Sequence, residues 1–116
     1  MNLKTPLILL GALSFPSVYA HDNSGTREVL LNNDKVEVVR LTYPPGTESG
    51  MHTHVHPNRT VYFVQGGKLE LVPKDPNETS KILEVSAGKL LFLLATTHNV
   101  KNIGETEVVL IENEIK

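Results

Sequence analysis

The sequence predicts an all-β domain, a small single-domain barrel or sandwich, on three observations. Short runs rich in Val, Leu, Ile and Tyr recur along the 116 residues, most of them set apart by Gly, Pro, Asn or Asp. After residue 20 no long stretch places apolar residues at helical spacing. Cysteine is absent. A packed β core, oligomerisation or a metal must then supply the stability that small domains often draw from disulfides.

The elements follow in order. "REVLL" (27–31) and "KVEVVRLTY" (35–43) read as strands joined at an Asn-Asn-Asp turn. "PPGTESG" (44–50) is a turn by composition. "MHTHVH" (51–56) alternates, and "TVYFVQ" (60–65) is a strand ending at Gly66-Gly67, the signal of a tight hairpin. "KLELV" (68–72), the polar loop "PKDPNETS" (73–80) and "KILEV" (81–85) come next. "KLLFLL" (89–94) is a continuous apolar run, the pattern of a strand buried on both faces. "HNVKNI" and "EVVLIENEI" close the chain, giving about nine short strands.

The first 20 residues stand apart. A basic start at Lys4, an apolar run from Pro6 to Phe15 and the small-residue close Val18-Tyr19-Ala20 have the form of a secretory signal peptide. The run is shorter than the roughly 20 residues that span a bilayer. Cleavage after Ala20 would leave a mobile arm at 21–26 and a domain at 27–116, in the periplasm or secreted. A net charge of −2 provides no basic stripe for nucleic acid, and no basic amphipathic helix offers itself to a membrane surface once the leader is gone.

The chemistry is concentrated in residues 51–60, "MHTHVHPNRT", which hold three of the five histidines. In a strand, residues i and i+2 share a face about 6.6 Å apart, close enough for two imidazoles to converge on one ion. Residues i and i+4 lie about 13 Å apart, too far unless the strand bends. The binding pair is therefore His52/His54 or His54/His56. His98, after the apolar run, is the candidate third ligand. Glu48 shares the parity of His52. Tyr62 and Phe63 straddle the faces of their strand, so one of them turns toward the interior.

Two stretches carry a resemblance. "PPGTESGMHTHVHPNRTVYFVQGG" resembles the first motif of the cupin family, with Gly46, His52, His54 and Gly66 at its spacing and Arg59 where the family has Glu. "AGKLLFLLATTHNVKNIGE" resembles the second, with Gly88, Ala95, His98 and Asn102 in place and Leu94 where the family has Pro. The likeness runs from about residue 27 to 116 and is closest to small single-domain cupins of the cupin-2 type, some of which also lack the Glu. Aligning His54-Val55-His56-Pro57 instead shifts the ligand pair, and His56 or His52 becomes a rim residue accordingly.

The resemblance implies a β-barrel or jelly roll holding a divalent metal, Fe(II) first, with Zn, Cu, Mn or Ni as alternatives. Its ligands would come from His52, His54, His56 and His98. Without the Glu, three neutral imidazoles leave the cation's charge uncompensated and positions open. An inward Arg59 beside a cation needs an anion between them, which would suit a substrate carboxylate. Arg59 and Tyr62 are thus the candidate catalytic residues. Two functions follow: an exported metal-dependent cupin acting on or binding a small anionic molecule, with dioxygenase-like or isomerase chemistry within reach, or a non-catalytic periplasmic metal- or ligand-binding module. A homodimer is compatible with either.

Overall fold

In a computed structural model of the chain, residues 23–116 are described. The leader expected at 1–20 lies outside them, as do His21 and Asp22 of the expected arm. Seven strands follow: β1 (Thr26–Asn32), β2 (Val36–Tyr43), β3 (His52–Gln65), β4 (Gly67–Pro73), β5 (Lys81–Val85), β6 (Leu90–Asn102) and β7 (Val108–Ile115). They form one antiparallel sheet in the order β1-β2-β7-β3-β6-β4-β5, with no helix among the described residues.

The all-β expectation holds, and the strands are fewer and longer than expected. The histidine run and "TVYFVQ" are one strand, β3, and "KLLFLL" continues through His98 as β6. These two pair twice, at His52–His54 with Thr96–His98 and at Asn58–Tyr62 with Leu90–Leu94. Between the two stretches the register shifts. Pro57 lies in that gap, and it has no N–H to give to a ladder. The double pairing lets one sheet curl over itself around a core of Tyr43, Val61, Phe63, Leu69, Val100, Val108 and Leu110.

Gly66-Gly67 does not make the expected hairpin. β3 pairs with β6 and β7, and β4 pairs with β5 and β6, so the chain crosses between layers at Gly66. A Cβ there would run into the Val85 carbonyl and the Ser86 backbone, which is why glycine occupies the crossing. The β1–β2 turn is as read. Asn33 Oδ1 accepts from the N–H groups of Lys35 and Val36 at 2.8 and 2.9 Å.

Part of the segment expected to be mobile is tied down. Glu48 N–H donates to Asn23 O at 2.7 Å, and Gly25 N–H donates to Glu48 O at 3.1 Å. β6 also departs from expectation, since Leu90, Phe92 and Leu94 are exposed while Leu91 and Leu93 pack inward. The run is apolar on both faces but covered on one.

Candidate metal centre

The site begins with the loop that launches β3. Gly46 and Gly50 both have φ of 82°, where a side chain would be strained. Asn99 on β6 fixes this loop. Its Oδ1 accepts from Gly50 N–H at 2.8 Å, and its Nδ2 donates to Glu48 Oε1 at 2.6 Å. Asn102 clamps the far end, donating to the carbonyls of Tyr43 and Thr106, each at 2.8 Å. His52 thus enters β3 in a fixed register, directly opposite His98 on β6.

The structure brings His52, His54 and His98 together. His54 Nε2 lies 2.9 Å from His52 Nε2 and 3.2 Å from His98 Nε2. The ring planes are near perpendicular, at 68° to 88°. The outer nitrogens explain the convergence. His52 Nδ1 donates to the Gly50 carbonyl at 2.8 Å, and His54 Nδ1 donates to Glu114 Oε2 at 2.6 Å. A carbonyl oxygen or a carboxylate can only accept, so each Nδ1 carries hydrogen. In a neutral imidazole the Nε2 then carries the lone pair. Burial pushes the His98 imidazole down to about 3, with His52, His54 and the Arg59 guanidinium acting in the same direction. His98 is therefore neutral near pH 7.

The facing lone pairs of His52 and His54, 2.9 Å apart, repel one another unless a cation lies between them. Two nitrogens about 2.1 Å from one ion and at right angles to each other lie about 3 Å apart, close to the observed spacings. The donor set fits a divalent metal, and these three histidines could hold one. A second cluster, His54 with Glu112 and Glu114, is also compact. Its carboxylates are already engaged, Glu114 by His54 and Glu112 by Arg59.

Arg59 turns inward. It is 3% exposed, and its Nη1 donates to Glu112 Oε2 at 2.7 Å. The anion expected between Arg59 and the site is thus met, in this structure, by a carboxylate of β7. Arg59 Nε is buried with no hydrogen-bond partner among the described residues. A cavity of about 50 Å³ lies beneath the histidines, with Arg59, Glu112 and Tyr43 in its wall and leucines such as Leu69, Leu91 and Leu93 in its floor. On the outer side, a cleft of about 390 Å³ is lined by His52, His54, His56, Arg27, Glu37 and Glu114.

Three sequence-predicted residues fall elsewhere. His56 lies beyond His54, where the β3–β6 register breaks, and lines the outer cleft without joining the three-histidine cluster. Of Tyr62 and Phe63 it is Phe63 that packs inside, while Tyr62 is 46% exposed on the outer face and does not line the cavity. Glu48 accepts from Asn99 in the loop. Sequence reasoning missed Glu112, Glu114 and Tyr43. The signal for the first two was available, because they continue the inward parity of Val108 and Leu110 and so put carboxylates on an apolar face.

Comparison with known proteins places this arrangement. The chain is 34% identical over 89 residues to a β-alanine degradation protein, BauB, of Pseudomonas aeruginosa, spanning 76% of this chain and 90% of that one. The crystal structure of a cupin domain from Bordetella pertussis superposes with a TM-score of 0.73 at 30% identity, over 82% of this chain and 96% of that one. The chain belongs to the cupin family. A Klebsiella pneumoniae protein with a double-stranded β-helix domain, at 23% identity and a TM-score of 0.62 over 78% of this chain and 75% of that one, shares the fold alone. No protein-family model matches the sequence. In this cupin, a jelly roll, the position read as the missing motif glutamate is Arg59, and Glu112 reaches it from the neighbouring strand β7.

Proposed function

We propose that this small cupin is an exported protein that holds a divalent metal, Fe(II) first, on His52, His54 and His98 and presents it to a small monoanion such as a carboxylate. The observation that carries the reading is the convergence of three Nε2 atoms, with the outer nitrogens of His52 and His54 held by Gly50 and Glu114. A bound metal would act as a Lewis acid or, as iron, support dioxygen chemistry.

The chain's own groups fix what it would accept. Arg59 set against Glu112, with Glu114 behind His54, leaves a divalent site with one positive charge uncompensated. One monoanion balances it. Arg59 Nε is a buried donor that an anionic oxygen could take up. The 50 Å³ interior has room for water or dioxygen, since on the same measure roughly 10–15 Å³ already holds one water. The body of any larger substrate would stay in the outer cleft, where His56 and Arg27 line the approach. The Pseudomonas relative is named for degradation of β-alanine, itself a small carboxylate.

The test is anaerobic loading with Fe(II), followed by oxygen uptake and product analysis over a set of small carboxylates. Turnover that disappears in His98→Ala supports the reading. The small interior favours a second reading, a module that binds metal and anion without turnover. Carboxylate binding to the loaded protein with no oxygen consumption would select it.

A further inference from the structure

The interior beneath the histidines borders two clefts. At its front it meets the outer cleft, where Tyr43, His52, His54 and Glu112 line both spaces. At its back it meets a second cleft of about 470 Å³, where Arg59, Leu71, Leu93 and His98 line both. The histidine cluster therefore stands between two approaches, His52 and His54 facing one and His98 the other.

The two walls differ. The front carries two imidazoles, a phenol and a carboxylate. The back lies at a break in the ladder. β4 pairs with β6 from Leu69 to Pro73, opposite His98 to Asn102, and the chain then leaves through residues 74–80 to return as β5 on the other side of β4. No described strand pairs with that edge of β6 from Leu90 to Thr97. Backbone hydrogen bonds thus do not seal the wall there, and the half-buried Leu71 and Leu93 stand in the gap. A partly exposed side chain changes rotamer in picoseconds to nanoseconds, so such a wall opens without unfolding a strand.

Resting on the metal reading above, we infer that dioxygen enters the interior through this back wall, while the organic substrate occupies the outer cleft. A carboxylate seated in the outer cleft covers the front, so the interior fills from behind. The second cleft gives an anion little reason to enter. Lys81 and Glu78 on its lining carry opposite charges, and Arg59 is already matched by Glu112. Leucines lie beyond, and a carboxylate buried among them without a partner loses its hydration. Dioxygen has no charge to desolvate and suits an interior walled by Leu69, Leu93 and Phe63. The two reactants are thereby sorted by polarity, each with its own way in.

Stopped-flow association of nitric oxide with the Fe(II)-loaded full chain tests this, because nitric oxide stands in for dioxygen and is read without turnover. Thr53 lines only the outer cleft, Thr96 lines the second cleft, and both are exposed. Thr53→Trp and Thr96→Trp therefore narrow one cleft each without entering the core. Thr53→Trp should leave the association rate within about twofold, and adding Thr96→Trp should slow it at least about tenfold. Leu93→Ala in the Thr53→Trp chain should instead raise the rate at least about threefold, the opposite of what general damage does. A Thr53→Trp chain that is itself slowed about tenfold would overturn the inference, as would a rate that neither Thr96→Trp nor Leu93→Ala moves. Iron is counted before each run. A chain that holds none would fail the metal reading and the passage with it, whereas iron held with an unmoved rate sinks the passage alone.

Discussion

Arg59 on β3 and Glu112 on β7 form a buried ion pair, Nη1 to Oε2 at 2.7 Å, with side chains 3% and 8% exposed. Neither charge has water to fall back on. Glu112 also stands 4.0 Å from His54 Nδ1, so the pair adjoins the histidine cluster. Breaking such a pair from one side leaves an uncompensated buried charge.

Arg59→Met or Glu112→Leu alone should therefore cost about 3–5 kcal/mol of folding stability, while the two together should cost clearly less than either single change. Urea unfolding of the four proteins in the cycle checks this. A double variant no more stable than Glu112→Leu would show that the two side chains do not act as a pair.

Glu114 would act on a bound metal through His54, since it accepts the Nδ1 hydrogen at 2.6 Å. Glu114→Gln keeps the shape and weakens the hold on the tautomer. Metal affinity should fall about 10- to 100-fold with little change in fold. Competition with a chelator measures the loss, and an unchanged affinity would remove Glu114 from the site.

Tyr43 supplies a pH signature. Burial raises its phenol to about 12, the Glu112 charge adds to the rise, and a hydrogen bond with Ser49 acts the other way. The folded value lies above the unfolded value of 10.0, so the protonated phenol favours the fold. That contribution is complete below pH 10 and is lost as pH rises through about 12, an alkaline loss of about 2–3 kcal/mol. Tyr43→Phe should flatten this window. Denaturant midpoints from neutral to strongly alkaline pH check it, and equal slopes in both proteins would contradict it.

What was legible in the sequence is what depends on parity and punctuation. Strand alternation put His52 and His54 on one face, and glycine, proline and asparagine marked most strand ends. Which pair converges with His98 was not legible, because it turned on the register break between His54 and Asn58. Pairing order was hidden too. Gly66-Gly67 looks like a hairpin locally and is a crossing only because β6 lies between β3 and β4. The same long-range pairing brought Glu112 within reach of Arg59, from a segment 53 residues away. The apolar run of β6 suggests a strand buried on both sides, because unbroken apolar residues carry no alternation to show that Leu90, Phe92 and Leu94 face outward.

The central claim is that His52, His54 and His98 hold one metal and His56 does not. The direct measurement is elemental analysis of Fe(II)- or Zn(II)-loaded protein after desalting, on wild type and the four His→Ala variants. The account predicts one ion per wild-type chain and full occupancy in His56→Ala. It predicts at least about a 100-fold loss of affinity in each of the other three, since each removes a ligand. An ion lost in His56→Ala and retained in His52→Ala, or no bound ion in the wild type, would contradict it.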